Sequence, residues 1–271
     1  MINLNLLFKS FSKTLEINKY KVKIKNLLNS FENFRIVQIS DLHVNRWNIA
    51  FIEECIKKIN ELNADILVIT GDTICHGKKY LNDISSLLEK INVNHGKYAC
   101  LGNHDHSDEN YGQNIKKMYF QSDITLLDNR NTAIIKNGEK LHIAGCDDIE
   151  LGYPDIVKSL KNISDSANLI YLSHNPVVFD EISDLKNCLV LSGHTHGMQL
   201  NCRLFEHFYR NKLKTTYLSG EYKSKNSVLY VNKGLGTAVC TPDLFGLKLT
   251  INTPRINSNP EITVFELTCD E

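Results

Sequence analysis

Five short stretches of this sequence carry histidine, aspartate and asparagine at spacings that could hold metal ions. They are Asp41-Leu42-His43, Gly71-Asp72, Gly102-Asn103-His104-Asp105, Ser173-His174 and Gly193-His194-Thr195-His196-Gly197. From them comes a donor set of two aspartates, one asparagine and four histidines, with no thiolate: Asp41, His43, Asp72, Asn103, His174, His194 and His196. Mixed nitrogen and oxygen donors suit Mn²⁺, Fe or Zn²⁺ in a reactive site better than a structural zinc, which favours cysteine. The set is too large for one ion and about right for two that share a carboxylate. Two ions ~3.5–4 Å apart can hold a hydroxide between them and clamp the attacking and leaving oxygens of an in-line displacement. The Asp-x-His and His-x-His spacings fit an extended backbone, on which alternate side chains point the same way. Each piece alone is weak, because a lone histidine is more often a satisfied core or surface residue and Gly71-Asp72 alone reads as a turn. The weight lies in all five occurring together.

What must position these residues is a set of strands. The apolar runs Arg35–Ile39, Ile66–Thr70, Lys97–Leu101, Leu169–Leu172 and Leu189–Leu191 each end just before one of the five stretches. Further runs lie at Leu141–Ala144, Val228–Val231 and Ile262–Leu267. Ile49–Leu62, apolar at Ile49, Ile52, Ile56 and Ile59, has helical spacing, as does Tyr80–Ile91 with Leu81, Ile84, Leu87, Leu88 and Ile91 on one stripe. Ala133–Ala144 predicts a hairpin turning at Asn137-Gly138. Strands alternating with helices imply an α/β fold, and the hairpin strands make its sheet mixed. Ligands of open α/β sheets bind beyond the carboxyl ends of the strands, so all five clusters are expected to converge on one site.

The 271 residues are read as one domain, 1–271, with enough chain to bury a large core. Lysine plus arginine (31) equals aspartate plus glutamate (31), so no global field attracts nucleic acid or membrane. A phosphate-bearing substrate must be attracted locally, for which metal ions would serve. No apolar run approaches the ~20 residues that span a bilayer, and no secretory signal layout is present; the expected location is the cytoplasm. The eight cysteines form no CxxC pair and are expected to be reduced, with Cys100 and Cys188 acting as small hydrophobes. Residues 1–30 form a basic arm or leading strand, with Lys9, Lys13, Lys19, Lys21, Lys23 and Lys25 against Glu16. A solvated strand is the plain reading of it, contact with an anionic surface the sharper one.

In their order along the chain, the five stretches resemble the calcineurin-like metallophosphoesterase superfamily. The likeness extends to Leu229-Tyr230-Val231-Asn232-Lys233-Gly234-Leu235-Gly236-Thr237 and Pro260-Glu261-Ile262, which resemble the bacterial YkuE/YaeI-type branch of phosphodiesterases. The resemblance covers about Tyr20 to Leu267. It implies a sandwich of two mixed β-sheets flanked by helices, and a dinuclear phosphoesterase acting on a small or lipid-linked phosphodiester or pyrophosphate. It assigns Asp41, His43, Asp72 and His196 to one ion, with Asp72 bridging and Asn103, His174 and His194 completing the other; Mn²⁺ is the first expectation, Fe or Zn²⁺ the alternatives. His104 would be the catalytic residue, protonating the leaving oxygen or stabilising transition-state charge. Related enzymes cleave UDP-2,3-diacylglucosamine in lipid A synthesis, which supplies an alternative reading. A third is a protein-binding module on the same scaffold without catalysis, which such a full set of donors disfavours.

Two departures bear on rate or specificity. Many relatives carry an acid three residues after the bridging aspartate, supporting the catalytic histidine; here that position is Cys75, leaving Asp105 or His76 as candidates. Gly197-Met198-Gln199 stands where the branch usually has Gly-Gly-Gln. Of the other histidines, His76 and His106 are near enough in sequence to line the site, while His95, His142 and His207 read as structural or exposed. Asn201–Lys225 carries Phe205, Phe208 and Tyr209 at helical spacing beside Arg203, Arg210, Lys212 and Lys214. It would pack on the body, or form a cap over the metals that grips an apolar substrate or rests on anionic lipid. Thr241–Asn259, with alternating Leu247-Lys248-Leu249-Thr250-Ile251, would form another wall of the cleft as a strand.

Overall fold

Both faces of the central strands are covered, which is why isoleucine, leucine and valine dominate them. The structure is a computed structural model that describes residues 14–75, 79–106, 112–199, 201, 203–237, 239–240, 243–244, 247–248, 251–252 and 255–269. In chain order the strands begin with Glu16–Ile24 (β1), Arg35–Ile39 (β2), Ile66–Thr70 (β3), Lys97–Cys100 (β4) and Ile124–Leu126 (β5). Next come Arg130–Lys136 (β6), Glu139–Gly145 (β7), Leu169–Leu172 (β8), Cys188–Ser192 (β9), Gly220–Lys223 (β10) and Ser227–Val231 (β11). Four two-residue strands follow, Val239–Cys240 (β12), Asp243–Leu244 (β13), Leu247–Lys248 (β14) and Ile251–Asn252 (β15), before Glu261–Cys269 (β16). The helices are Ile49–Glu61 (α1), Leu81–Glu89 (α2), Gln113–Gln121 (α3), the single turns Ile156–Ser159 (α4) and Phe179–Ile182 (α5), and Arg203–Leu213 (α6).

Two six-stranded sheets result, ordered β1-β16-β2-β3-β4-β5 and β10-β11-β9-β8-β7-β6. Both are mixed: β2 to β5 run parallel while β16 opposes β2, and β7, β8, β9 and β11 run parallel between the antiparallel edges β6 and β10. Strand alternation divides the core. Ile36, Ile66, Val68 and Cys100 meet Ile143, Ile170, Leu172, Leu189 and Leu191 of the second sheet. Val37, Ile39, Leu67, Ile69 and Ala99 face outward to Ile52, Ile56, Ile59, Ile84, Leu88, Ile115 and Met118 of α1, α2 and α3. The outer face of the second sheet is covered by Phe179 and Ile182 of α5 and by the α4 segment. The four layers bring the carboxyl ends of β2, β3, β4, β8 and β9 together.

The expected hairpin forms, with Lys136 opposite Glu139 and the two-residue turn made by Asn137 (φ 52°) and Gly138 (φ 82°). The expected helix after the last donor stretch forms as α6; the side chains of Arg203, Phe205, Phe208 and Lys212 lie outside the described residues. Of the strand expected at Leu247–Ile251, the described ends are extended, Leu247–Lys248 (β14) pairing with β13 and Ile251 (in β15) with β12, while residues 249–250 lie outside the described residues. Of the basic arm, residues 1–13 lie outside the described residues. From Glu16 the chain is β1, an edge strand whose Lys19, Lys21 and Lys23 are exposed while Val22 and Ile24 are buried. Lysines on an edge strand discourage pairing with another chain. Buried thiols at Cys55, Cys100, Cys146 and Cys188 are unbridged, as expected.

Candidate metal centre

Where the strands end, the chain turns sharply, and the turns are made by the candidate donors themselves. Asp41, His43, Asp72, His194 and His196 have φ between 39° and 72°. Left-handed backbone costs an L-residue on the order of 1–2 kcal/mol, so such a cluster is held by its surroundings. This corrects the expectation of extended backbone: Asp41 with His43, and His194 with His196, meet through left-handed turns rather than by strand alternation. Backbone bonds fix the turns. Asp41 N donates to Gly71 O (3.0 Å), His43 N to Asp72 O (3.1 Å) and Gly193 N to His174 O (2.9 Å). Two approaches require glycine. A Cβ on Gly71 (φ +83°) would lie 2.6 Å from His174 Nδ1, and one on Gly102 would lie 2.3 Å from Asp72 Oδ1.

The seven sequence candidates converge as two groups meeting at Asp72, whose Oδ2 lies 3.5 Å from His43 Nε2 and 3.3 Å from His174 Nε2. On one side His43 Nε2 is 3.1 Å from His196 Nε2, and His196 Nε2 is 3.3 Å from Asp41 Oδ1. On the other, His174 Nε2 lies 3.2 Å from Asn103 Oδ1 and 3.2 Å from His194 Nδ1. Asp41, His43, Asp72, His174 and His196 are buried; Asn103 and His194 are partly exposed. His43 and His196, two neutral rings facing nitrogen to nitrogen, share one proton at most, so lone pairs accumulate on that side. Among the described residues Asp41 Oδ1 and His194 Nε2 are buried with no hydrogen-bond partner, an exception to the rule that buried polar atoms are satisfied. The donors therefore fit cations. Ligand atoms lie within 4.8 Å of one another in Asp41/His43/His196, in His43/Asp72/His104 and in Asp41/Asp72/His174.

The carboxylates make the pocket strongly anionic, which favours positive charge of any kind within it. Burial opposes ionisation of Asp72, yet His174 above all, with His43 and His104, holds its carboxyl well below the usual range. Burial likewise opposes charge on His174, but Asp72 and Asp41 hold it well above the usual histidine value. Burial pushes His43 down to about 3, keeping a neutral ring with a lone pair to offer.

His104 stands edge-on to His43 with ring centroids 4.7 Å apart. Its backbone N–H donates to Asp72 Oδ1 (2.8 Å), and its Nδ1 lies 3.0 Å from Cys75 O. The backbone carbonyl of Cys75 thus meets the ring at the position where many relatives carry an acid. Asp105 acts on the backbone instead. Its Oδ1 accepts from Thr73 N (3.0 Å) and Ile74 N (3.2 Å), and its Oδ2 from Gly102 N (3.0 Å). It ties the β3 turn to the β4 turn, and burial pushes its carboxyl up to about 7. His76 lies outside the described residues. His106 is turned to Asp147, with Nε2 2.6 Å from Oδ1. Met198 is buried, φ 67°, in the turn after His196.

Sequence reasoning missed Asp147, Asp148, Glu150 and Arg255. The aspartates follow the run Leu141–Ala144, so the rule that found the other clusters, polar residues at a strand end, extends to them. Asp147 Oδ2 accepts from Tyr153 N (2.9 Å), and Asp148 Oδ1 accepts from Glu150 N and Leu151 N (2.9 Å each). They fold a tight loop that sets Glu150 Oε1 3.3 Å from His194 Nε2. Arg255, only 6% exposed, donates to the carbonyls of Gly236, Lys233 and Ser258 and lies 3.2 Å from His196 Nδ1. It holds the 233–236 strap against Asp41. No pattern in the sequence marks it.

Residues 34–198 match the calcineurin-like phosphoesterase family, and the chain belongs to it. The uncharacterized metallophosphoesterase YkuE of Bacillus subtilis strain 168 is 32% identical over 258 residues, which cover 93% of this chain and 85% of that one. The UDP-2,3-diacylglucosamine pyrophosphatase LpxG of Chlamydia muridarum is 27% identical, over 82% of this chain and 84% of that one. Among solved structures, GAP50, the anchor in the inner membrane complex of Plasmodium, superposes with a TM-score of 0.50 at 13% identity, covering 87% of this chain and 81% of that one. The fold is the expected sandwich, and the chain is a metallophosphoesterase with a buried histidine and aspartate cluster. Among the described residues no helix is long and apolar enough to cross a membrane.

Proposed function

We propose that the protein is a phosphodiesterase using two divalent ions, with manganese first among those that its nitrogen and oxygen donors suit and iron or zinc as alternatives. The observation that carries this reading is the place of Asp72, with one carboxylate oxygen facing a histidine of each group. Asp41, His43, Asp72 and His196 would hold one ion; Asp72, Asn103, His174 and His194 would hold the other. When bound, such ions supply Lewis acidity toward phosphoryl oxygen and a water acidic enough to attack at neutral pH. The chain supplies the rest. Buried Asp41 and Asp72 offset the positive charge, the strained turns fix donor directions, and His104, oriented by Cys75 O, serves the leaving oxygen as acid or hydrogen-bond donor.

A small or lipid-linked diester or pyrophosphate is the substrate class. Two features support an amphiphile. The loop after Glu150, whose carboxylate faces His194, exposes Leu151 (56%) and Tyr153 (81%), and a relative of similar length is named for UDP-2,3-diacylglucosamine. Contact with an anionic membrane through α6 or the basic arm belongs to the same proposal. A non-catalytic binding role has no support from a centre whose donors are all in place. The test is turnover of bis-p-nitrophenyl phosphate beside p-nitrophenyl phosphate after loading with Mn²⁺. Diester cleavage abolished by Asp72→Asn is expected; a loaded protein that cleaves neither ester would sink the catalytic reading.

A further inference from the structure

We infer that Glu150 is a positioning residue for His194, selecting the ring tautomer that leaves Nδ1 free to bind. The inference rests on the dinuclear reading for its consequence and on geometry for its cause. His194 turns Nδ1 inward, 3.2 Å from His174 Nε2. Its other nitrogen, Nε2, is buried without a hydrogen bond among the described residues, and Glu150 Oε1 lies 3.3 Å from it, close but not aligned. A small rotation of the partly exposed carboxylate completes that bond. A neutral imidazole carries one proton, so a proton held on Nε2 by a carboxylate leaves the lone pair on Nδ1. Carboxylates that grip the far nitrogen of a metal-binding histidine fix its orientation and raise its basicity.

Glu150 is itself built in place. Asp148 Oδ1 accepts from the Glu150 and Leu151 amides, and Asp147 Oδ2 accepts from Tyr153 N. Asn175 Nδ2 approaches the same Oε1 at 3.5 Å. Gly152 is packed so closely that a Cβ there would lie 2.6 Å from Asp147 Oδ2. A surface glutamate placed by chance would have no such scaffold.

The test compares wild type, Glu150→Gln and Glu150→Ala in two ways. In metal-free protein, imidazole ¹⁵N spectra, with His194 assigned from its absence in His194→Asn, report the tautomer. Wild type is expected in the Nε2–H form and Glu150→Ala in a mixture, while Glu150→Gln, whose amide oxygen still accepts, retains the wild-type form. Stepwise Mn²⁺ titration by calorimetry should then find one of two ions bound about 10–100-fold more weakly in Glu150→Ala, with the other unchanged. Unchanged spectra and affinities in Glu150→Ala would overturn the proposal. So would equal weakening of both ions, which a merely structural loss predicts. Wild type binding a single ion while the tautomer still follows Glu150 would overturn the dinuclear reading instead.

Discussion

At the scale of single residues, the His104 ring, met at Nδ1 by the Cys75 carbonyl, is the group on which turnover is expected to depend. Cys75→Ser keeps the carbonyl that meets the ring and nearly the same side-chain shape, and should leave kcat for an aryl phosphodiester within about threefold of wild type, under ~1 kcal/mol of barrier. His104→Ala should lower kcat by roughly 10²–10⁴-fold, the usual worth of a positioned acid or base, with the metal content of the protein unchanged. Steady-state kinetics beside elemental analysis separates these outcomes. Loss of an ion with His104 would make it a ligand, a role its place in the His43/Asp72/His104 group makes worth excluding.

Among elements, turns and loops carry the sharpest predictions. Gly138 has φ 82°, and a Cβ added there would meet nothing within 4 Å, so Gly138→Ala changes backbone cost alone. It should destabilise the protein by about 1 kcal/mol in chemical denaturation without touching turnover. His106 and Asp147 join the β4 turn to the Glu150 loop. Burial opposes charge on both, but their hydrogen bond raises the His106 value and lowers that of Asp147. The raised histidine stabilises fully below its unfolded value and less as pH climbs through the folded one; the depressed aspartate stabilises fully above its unfolded value and less as pH falls. The pair is thus strongest between about pH 4 and 6.5, and Asp147→Asn should lower the His106 pKa in an NMR titration. Elements with regular period were legible in the sequence: α1, α2, the hairpin and the five strands before the donors. The edge strands β5 and β10 and helix α3 were not, since short or mixed patterns such as Ile124-Thr125-Leu126 carry too little period. The site was legible because its residues follow apolar runs. Its turns were not, because left-handed Asp41 and His43 look the same in sequence as extended ones. Arg255 escaped because its partners are carbonyls, which leave no residue signature.

For the whole molecule, the division of donors between the sheets matters most. Asp41, His43, Asp72, Asn103 and His104 follow strands of the first sheet, while His174, His194 and His196 follow strands of the second. Neither sheet alone holds either of the two proposed ligand sets, so the proposed centre is complete only when the shared core, with Phe265, Val68, Ile143 and Leu191, is docked. Ions that bind the docked state and not the unfolded chain must then stabilise it, by ~2.7 kcal/mol for each at a hundredfold excess over Kd. In a chain of this size that amounts to a rise in Tm of about 5–10 °C per ion. Differential scanning calorimetry with Mn²⁺ and with EDTA measures it. Ile143→Ala, a truncation in the core between the sheets that removes no donor, should cost roughly 2–5 kcal/mol and lower Tm with and without ions, leaving the increment intact. Asp72→Asn should abolish most of the increment, because one side chain faces both groups. An increment that survives Asp72→Asn would place the ions elsewhere, and one that disappears in Ile143→Ala would mean the docking of the sheets, rather than Asp72, limits how the donors meet.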